Sequence, residues 1–379
     1  VSSVRALFSL VGLLVVLAPG LSGCASPGTG VGYYWQSVSG HLQIMRAARP
    51  LQDWLDDAQT PPALRQRLAL AQRIRHFAAA ELALPDNASY HRYADLHRRA
   101  AVYNVVAAPA LSLTLQSWCF PVVGCVGYRG YFDEAQAQAF ARSLPEELES
   151  VVYPVPAYST LGWMNWAGGD PLLNTFIGYP EGELARIVFH ELAHQVLYAK
   201  GDMVFNESFA TAVERLGGER WLTHHASDAA RREYAAFDAR RREFRALTFA
   251  VRQRLEGIYA DTALDDAEKA RRKSATMDDF RQTYQTLRQR WNGYAGYDAW
   301  VARANNASFG AQAAYDTLVP GFEALFEHQG RDFRRFYDAV RALAQQPLEE
   351  RHAALRQLST PSEATVAAGQ AVPAPADRP

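Results

Sequence analysis

Residues 190 to 194 read His-Glu-Leu-Ala-His. A helix advances about 100° per residue, so His190 and His194 would share one face, one turn apart, where two imidazoles can hold one zinc ion. Glu191 would be rotated away from them, within reach of the metal's open position. There it would take a proton from water whose pKa the zinc lowers toward about 7. A catalytic zinc needs three protein ligands and one open site, so the two histidines need a partner. The run Asn206-Glu207-Ser208-Phe209-Ala210-Thr211-Ala212-Val213-Glu214 offers Glu207, 13 residues after His194. That interval lets one helix stop, the chain turn at Gly201-Asp202, and a second helix return past the metal. Phe209, Val213 and Leu216 would form the apolar side of that helix, with Glu207, Thr211 and Glu214 on the other. Thr211 or Glu214 could hydrogen-bond a ligand imidazole from behind. The plainer alternatives are a helix-start acid for Glu207 and a solvated carboxylate for Glu214.

The elements around these residues must hold them still. Pro180 suits a first helical turn, and Glu181 and Glu183 favour its positive end. Ile187, Val188, Leu192 and Val196 supply an apolar flank, and Lys200-Gly201 a stop. Upstream, Leu51, Trp54 and Leu55, then Leu64, Leu68, Ile74 and Phe77, recur at helical spacing, so residues 41 to 106 read as helical, punctuated by Pro61-Pro62 and Pro85-Asp86-Asn87. Leu111, Leu113 and Leu115 alternate, and Val122, Val123 and Val126 stand among glycines, so 110 to 132 reads as strand and tight turn. A helix is expected over 133 to 148, an extended stretch over 151 to 178, and two helices over 180 to 216. Residues 219 to 290 read as long charged helices with a solvated arginine face at Arg240-Arg241-Arg242. Amphipathic helices follow over 306 to 357, and 359 to 379 reads as a disordered tail. The expected fold is mainly α (α+β), a single metallopeptidase domain over 41 to 358 with a small β-sheet beside the zinc helix.

Of 379 residues, 49% are hydrophobic and 21% charged, an ordinary globular balance with ample material for a core. Thirty-nine basic and 40 acidic side chains leave a net charge of −1, which argues against a nucleic-acid partner. Arg5 followed by the apolar run Ala6 to Ala18 has the length of a signal-peptide core and is too short to span a bilayer. Leu21-Ser22-Gly23-Cys24 follows and resembles the bacterial lipobox. The expectation is a signal peptide over 1 to 23, a lipid anchor on Cys24, a tether over 24 to 40, and residence at the outer membrane facing the periplasm. Cys119 and Cys125 could form a disulfide in an oxidising envelope, worth about 2 kcal/mol on the chain-entropy model, or remain two buried thiols.

HELAHQ followed by NESFATAVE is similar to the zinc aminopeptidases of the gluzincin class, which are thermolysin-like. That resemblance implies His190, His194 and Glu207 as ligands of one Zn²⁺ and Glu191 as the base; the spacer is several residues shorter here. A closer resemblance, over Trp118 to Phe132, Tyr158 to Glu214 and more weakly Asn305 to Tyr337, is to a bacterial family of predicted lipoprotein aminopeptidases. It implies a peptide substrate, laid along an edge strand near 151 to 165. The glutamate that binds the free amine in the larger class, in Gly-x-Met-Glu-Asn, is missing from Gly162-Trp163-Met164-Asn165, leaving Asp170 or Glu181 as the nearest acids. For the oxyanion, Tyr259, Tyr297, Tyr315 and His328 are eligible by position. His224-His225 is not expected to form a second metal site, because adjacent helical residues diverge. Two other classes stay open: an envelope endopeptidase or amidase on cell-wall peptides, and a silent zinc-stabilised lipoprotein binding module. Oligomeric state is left open.

Overall fold

The structure, a computed structural model, describes residues 31–359 except 121–123, 161, 163–164 and 166–167. The side chains of residue 31 and of residues 313–316 also lie outside it. So do the expected leader, Cys24 and the tail from 360 onward. Two compact units divide after Gln43. The described part of the first, residues 31–43, is helical and belongs to α1, Val31–Ala47, so residues 31 to 40 of the expected tether are helix. The second unit, from Ile44 on, holds the remaining elements.

That unit is mainly helical, with 60% of the structure in helix and 10% in strand. After α1 come α2 (Leu51–Asp56) and α3 (Pro62–Ala80). The helical reading of 41 to 106 ends there: β2 covers Arg92–Ala94 and β3 covers Val102–Pro109. The misreading has a physical source. Val105 to Ala108 are all buried, whatever their parity, and β3 is the middle strand of the antiparallel sheet β6-β3-β7. A strand covered on both faces loses the two-residue alternation that would have marked it. Its partners are β6 (Arg129–Tyr131) and β7 (Leu148–Val155). The expected strand at Leu111 to Leu115 is irregular; the strands of this region are instead the hairpin β4 (Trp118–Phe120) and β5 (Gly124–Val126). Cys119 and Cys125 face each other across that hairpin and are joined by a disulfide. A minor sheet joins β1 (Arg49–Pro50), β2 and β8 (Leu172–Leu173). The helix expected over 133 to 148 is shorter: it is α4, Glu134–Arg142, capped by Asp133, and Leu148 already belongs to β7.

Two helices form the centre, as their spacing predicts: α5 (Glu181–Ala193) and α6 (Met203–His224). Leu184, Ala185, Val188, Phe189 and Leu192 of α5 meet Phe205, Phe209, Ala212 and Val213 of α6 in one core. Close approach depends on Gly217 and Gly218. A Cβ at Gly217 would lie 2.6 Å from Leu82 and 3.0 Å from Phe189, and one at Gly218 would lie 2.9 Å from Arg186. Beyond them α7 (Asp228–Ala260) and α8 (Asp266–Arg290) form a long hairpin with its own cluster around Phe244, Leu255, Phe280 and Tyr284. Short α9 (Asp298–Arg303) leads into α10 (Asn306–Asp316), which lies against β3. Then α11 (Val319–His328), α12 (Phe333–Ala344) and α13 (Leu348–Ser359) close over α6. Among the described residues no helix is long and apolar enough to cross a membrane.

Candidate active site

Local sequence sets the first two site residues. Pro180 caps α5, and Glu181 and Glu183 stand in its first turn. Nine residues on, His190 is in its last turn, and His194 caps the C-terminus with φ −59° and ψ −22°, still helical. The histidines therefore keep the one-turn spacing although the helix stops at Ala193.

Glu207 arrives by a turn whose geometry is fastened twice. Asp202 caps α6 by accepting from the Phe205 N–H at 3.1 Å. The same carboxylate, buried, accepts from Arg351 Nε at 2.7 Å and bonds His352 at 2.9 Å. Asn206 then grips the chain behind it: its Oδ1 accepts from the Ala199 N–H and its Nδ2 donates to the Ala199 carbonyl, both at 2.8 Å. The asparagine beside Glu207 thus sets which side of α6 faces the histidines.

The outcome is a triangle of ligand atoms. The two imidazole Nε2 atoms are 3.2 Å apart, and one Glu207 oxygen lies 3.4 Å from His190 Nε2 and 3.7 Å from His194 Nε2. Ligand atoms about 2.0–2.1 Å from a tetrahedral zinc lie about 3.3 Å from one another. The three edges have that size, and a two-histidine, one-carboxylate set is the donor chemistry of an open zinc site. Among the described residues this is the one group of three or more such side chains close enough to hold a metal. His224 and His225 are exposed, and His225 is stacked on Trp221.

A second layer fixes the ring of His190. Its Nδ1 donates to Glu214 at 3.1 Å, which leaves Nε2 to face the metal position. Arg186, 4% exposed, pairs with the other Glu214 oxygen. Burial alone would raise Glu214, but Arg186 and His190 hold it at about 2. Arg186 also faces Glu183, which Arg241 grips through both oxygens at 2.9 Å. Of the two expected rear partners, Glu214 makes the contact. Thr211 is buried on α6 and bonds neither imidazole. Without metal, burial opposes charge on His190, yet Glu207 and Glu214 hold its pKa well above the ordinary value. Burial lowers His194 to about 4. Burial works to raise Glu207, but His194 and His190 outweigh it and hold the carboxyl low.

Glu191 turns instead to the segment that carries Ser159. Ser159 bonds it, and Asp170 acts on it as a neighbouring charge. Burial pushes Glu191 up to about 7; His190 and Ser159 oppose this, while Glu207 and Asp170 add to it. A carboxylate poised near neutrality is suited to exchanging a proton with water.

Asp170 is 1% exposed and fully engaged. Its Oδ1 accepts from the Thr160 N–H at 3.0 Å and the Thr160 hydroxyl at 2.7 Å; its Oδ2 accepts from Gln195 at 3.3 Å and Ser159 at 3.4 Å. A carboxylate has about four acceptor positions, and these are filled. Gln195, next to His194, also donates to Ser89 and accepts from Asn87 and Asn165. Asp170 and Gln195 thus brace Asn87, Ser89, Ser159, Thr160 and Asn165 against the end of α5. Glu181 stands at the far end of α5, bonded by the Trp221 indole at 3.0 Å. Neither acid eligible by sequence is free to take a substrate amine beside the metal position.

Three of the oxyanion candidates have other described surroundings. The Tyr259 hydroxyl donates to Asn306 at 2.8 Å, Tyr297 stacks on Phe244 at 4.0 Å between ring centres, and His328 is exposed. The side chain of Tyr315 lies outside the described residues. Other tyrosines surround the site instead. Glu207 is a neighbouring charge to Tyr128, Tyr153 and Tyr198, and Glu191 to Tyr90 and Tyr128. No helical or metal-ligand spacing marks these positions in the sequence. The edge strand expected near 151 to 165 is present only in its first part: β7 ends the sheet order but stops at Val155. However, Arg303 and Asn305 already donate to the carbonyls of Val152 and Ser150, each at 3.0 Å, so its first half is closed to a peptide.

No curated protein and no solved structure matches the chain. A family model does match, over residues 32–355, a span that holds every residue of the triangle, its base and its rear partners. The chain belongs to the family described as "Putative aminopeptidase".

Proposed function

We propose that this chain is a zinc-dependent peptidase of the gluzincin type, in which His190, His194 and Glu207 hold one Zn²⁺ and Glu191 is the general base. The observation that carries the reading is the triangle with edges of 3.2, 3.4 and 3.7 Å, with Glu191 one residue from its first corner. A zinc ion there would polarise the scissile carbonyl and make water acidic enough to attack near neutral pH. Glu191 takes the proton from the attacking water as the C–O bond forms. It then returns that proton to the departing nitrogen as the C–N bond breaks, so the base is regenerated. Glu214 keeps the His190 proton on Nδ1 throughout. The intact base disfavours a silent zinc-stabilised module, which has no use for one.

Family membership supports an aminopeptidase. An envelope endopeptidase is favoured by a different observation: the filled acceptor positions of Asp170 leave it unable to pair with a terminal amine. Cleavage of matched free and N-acetylated peptides by zinc-loaded protein separates the two. A large preference for the free amine supports the aminopeptidase, and equal rates support the endopeptidase. Absence of bound zinc in protein purified without chelator, or unchanged zinc in Glu207→Ala, would refute the metal reading.

The same proposal places the protein in the bacterial envelope, lipid-anchored through Cys24 at the outer membrane, on the strength of Leu21-Ser22-Gly23-Cys24. A single acyl chain gives only marginal attachment, whereas the three chains of a bacterial lipoprotein give a stable one. Radiolabelled palmitate should enter the wild type and not Cys24→Ser; equal labelling of both excludes the anchor.

A further inference from the structure

The exposed apolar side chains of this chain gather on one helix. Among the described residues seven large apolar side chains are exposed, and four of them lie on α1: Tyr34, Trp35, Val38 and Leu42. Trp35 is 72% exposed and Val38 54%. Their spacing puts the four together. Each four-residue step, from Tyr34 to Val38 to Leu42, advances about 40° around the helix, and Trp35 follows Tyr34 by about 100°. All four thus fall within an arc of about 100°. Gln43, also exposed but polar, lies about 100° beyond Leu42. Ile44, farther round still, is fully buried.

The composition of α1 suits a lipid surface. None of its 17 residues is acidic, and its last turn carries Arg46, exposed at the edge of the stripe. Tyr and Trp are enriched where hydrocarbon meets headgroup, because one end of each ring is apolar and the other polar. An arginine beside them lays its stem along the apolar side and keeps its guanidinium among phosphates. Position along the chain supplies a second argument. Cys24, which the Leu-Ser-Gly-Cys pattern marks for lipid, stands seven residues before Val31. That stretch of chain spans at most about 25 Å, so an anchor on Cys24 keeps the start of α1 within about that distance of the lipid. A stripe of four side chains is also far smaller than the roughly 20–30 residues that each partner gives a stable dimer.

We infer that the face of α1 formed by Tyr34, Trp35, Val38 and Leu42 is a membrane-docking surface, which lies in the headgroup region of the phospholipid leaflet that holds the Cys24 lipid. The inference rests on the lipid-anchor reading of Cys24. The acyl chains supply attachment, and the stripe supplies orientation. Tethering makes the second contact intramolecular, so even a small apolar face is occupied. With the helix lying flat, four apolar side chains leave water and hold it down. Arg46 meets the phosphates, and no carboxylate on the helix opposes them.

The test reads the two sides of α1 with one label. Val38→Cys and Gln43→Cys are made in the full chain, produced through its own leader, labelled with a nitrobenzoxadiazole fluorophore, and placed singly in nanodiscs of phosphatidylethanolamine and phosphatidylglycerol. Cys119 and Cys125 are bonded to each other and a lipidated Cys24 takes no label, so the new thiol alone reports. The label at 38 should shift its emission to the blue and lose most of its quenching by aqueous iodide, while the label at 43 keeps its quenching. Adding Trp35→Asp and Leu42→Asp should restore quenching at 38. Both positions are exposed, so the fold should survive, and circular dichroism checks it. Equal quenching at 38 and 43 would overturn the docking surface, and palmitate entering the same preparation would leave the anchor standing. Protection at 38 in vesicles that carry many chains, but not in single-chain discs, would identify a second copy as the occupant and overturn it too. If no palmitate enters, the anchor reading fails. The labels, carried by a Cys24→Ser chain on preformed vesicles, then decide for or against the stripe by the same comparison.

Discussion

Glu214 lies 3.1 Å from Nδ1 of His190, and the two are brought together from positions 24 residues apart on neighbouring helices. The contact makes a carboxylate–histidine pair that fixes the ring's tautomer and orients Nε2 toward Glu207 and His194. Such rear partners typically contribute about 10- to 100-fold in metal affinity. Glu214→Gln should therefore bind zinc about 10- to 100-fold more weakly, measured by competition with a chromophoric chelator. Affinity equal to wild type would show that the ring is held without the carboxylate.

Glu191→Gln should hold zinc as tightly as wild type and keep the fold, because no ligand atom changes. The amide cannot accept the water's proton, so kcat should fall by about 10²- to 10⁴-fold. Zinc analysis and steady-state kinetics on one preparation test both halves. Retention of most activity would place the base elsewhere.

The Asp202 carboxylate is 2% exposed and is held by Arg351 and His352 from the last helix. Removing one member of a buried pair leaves an uncompensated charge and typically costs about 3–5 kcal/mol. Asp202→Ala also loses the cap of α6. It should lower the unfolding midpoint in urea by a corresponding amount, and it should loosen zinc as well, since the same turn positions Glu207. A variant as stable as wild type would show that the C-terminal helix does not secure the site.

For metal-free protein, acid should act through Glu214. Arg186 and His190 hold its folded pKa at about 2, below the ordinary value of 4.5. The unfolded chain therefore binds a proton first as pH falls, and stability drops with it. The contribution is present above about pH 4.5, is lost progressively as pH falls toward about 2, and is on the order of 3 kcal/mol in full. Urea unfolding of chelator-treated wild type and Glu214→Gln, between pH 6 and 3, should show the wild type losing its advantage as pH falls. Parallel pH profiles would refute this.

Local order wrote much of the site into the sequence. The four-residue step from His190 to His194 is a helical turn wherever the helix forms, and a proline and two acids at its start ensure that it forms. The interval to Glu207 left room for a turn and a returning helix, which the structure contains. The long charged helices of 228–290 were legible for the same reason, a single period sustained over many residues. What the sequence could not give is decided by contacts between distant segments. Strand β3 hid because burial on both faces erased its alternation. Asp170 was eligible as an amine partner by proximity to the zinc helix, but four donors from Ser159, Thr160 and Gln195 fill its oxygens. Gly124 of the disulfide hairpin carries no periodic signal, yet it meets the turn at Gly201 between the two central helices. Periodicity reports what neighbours along the chain do together; which charge is paired, which acceptor is filled and which turn is met depend on the packing of elements that periodicity does not relate.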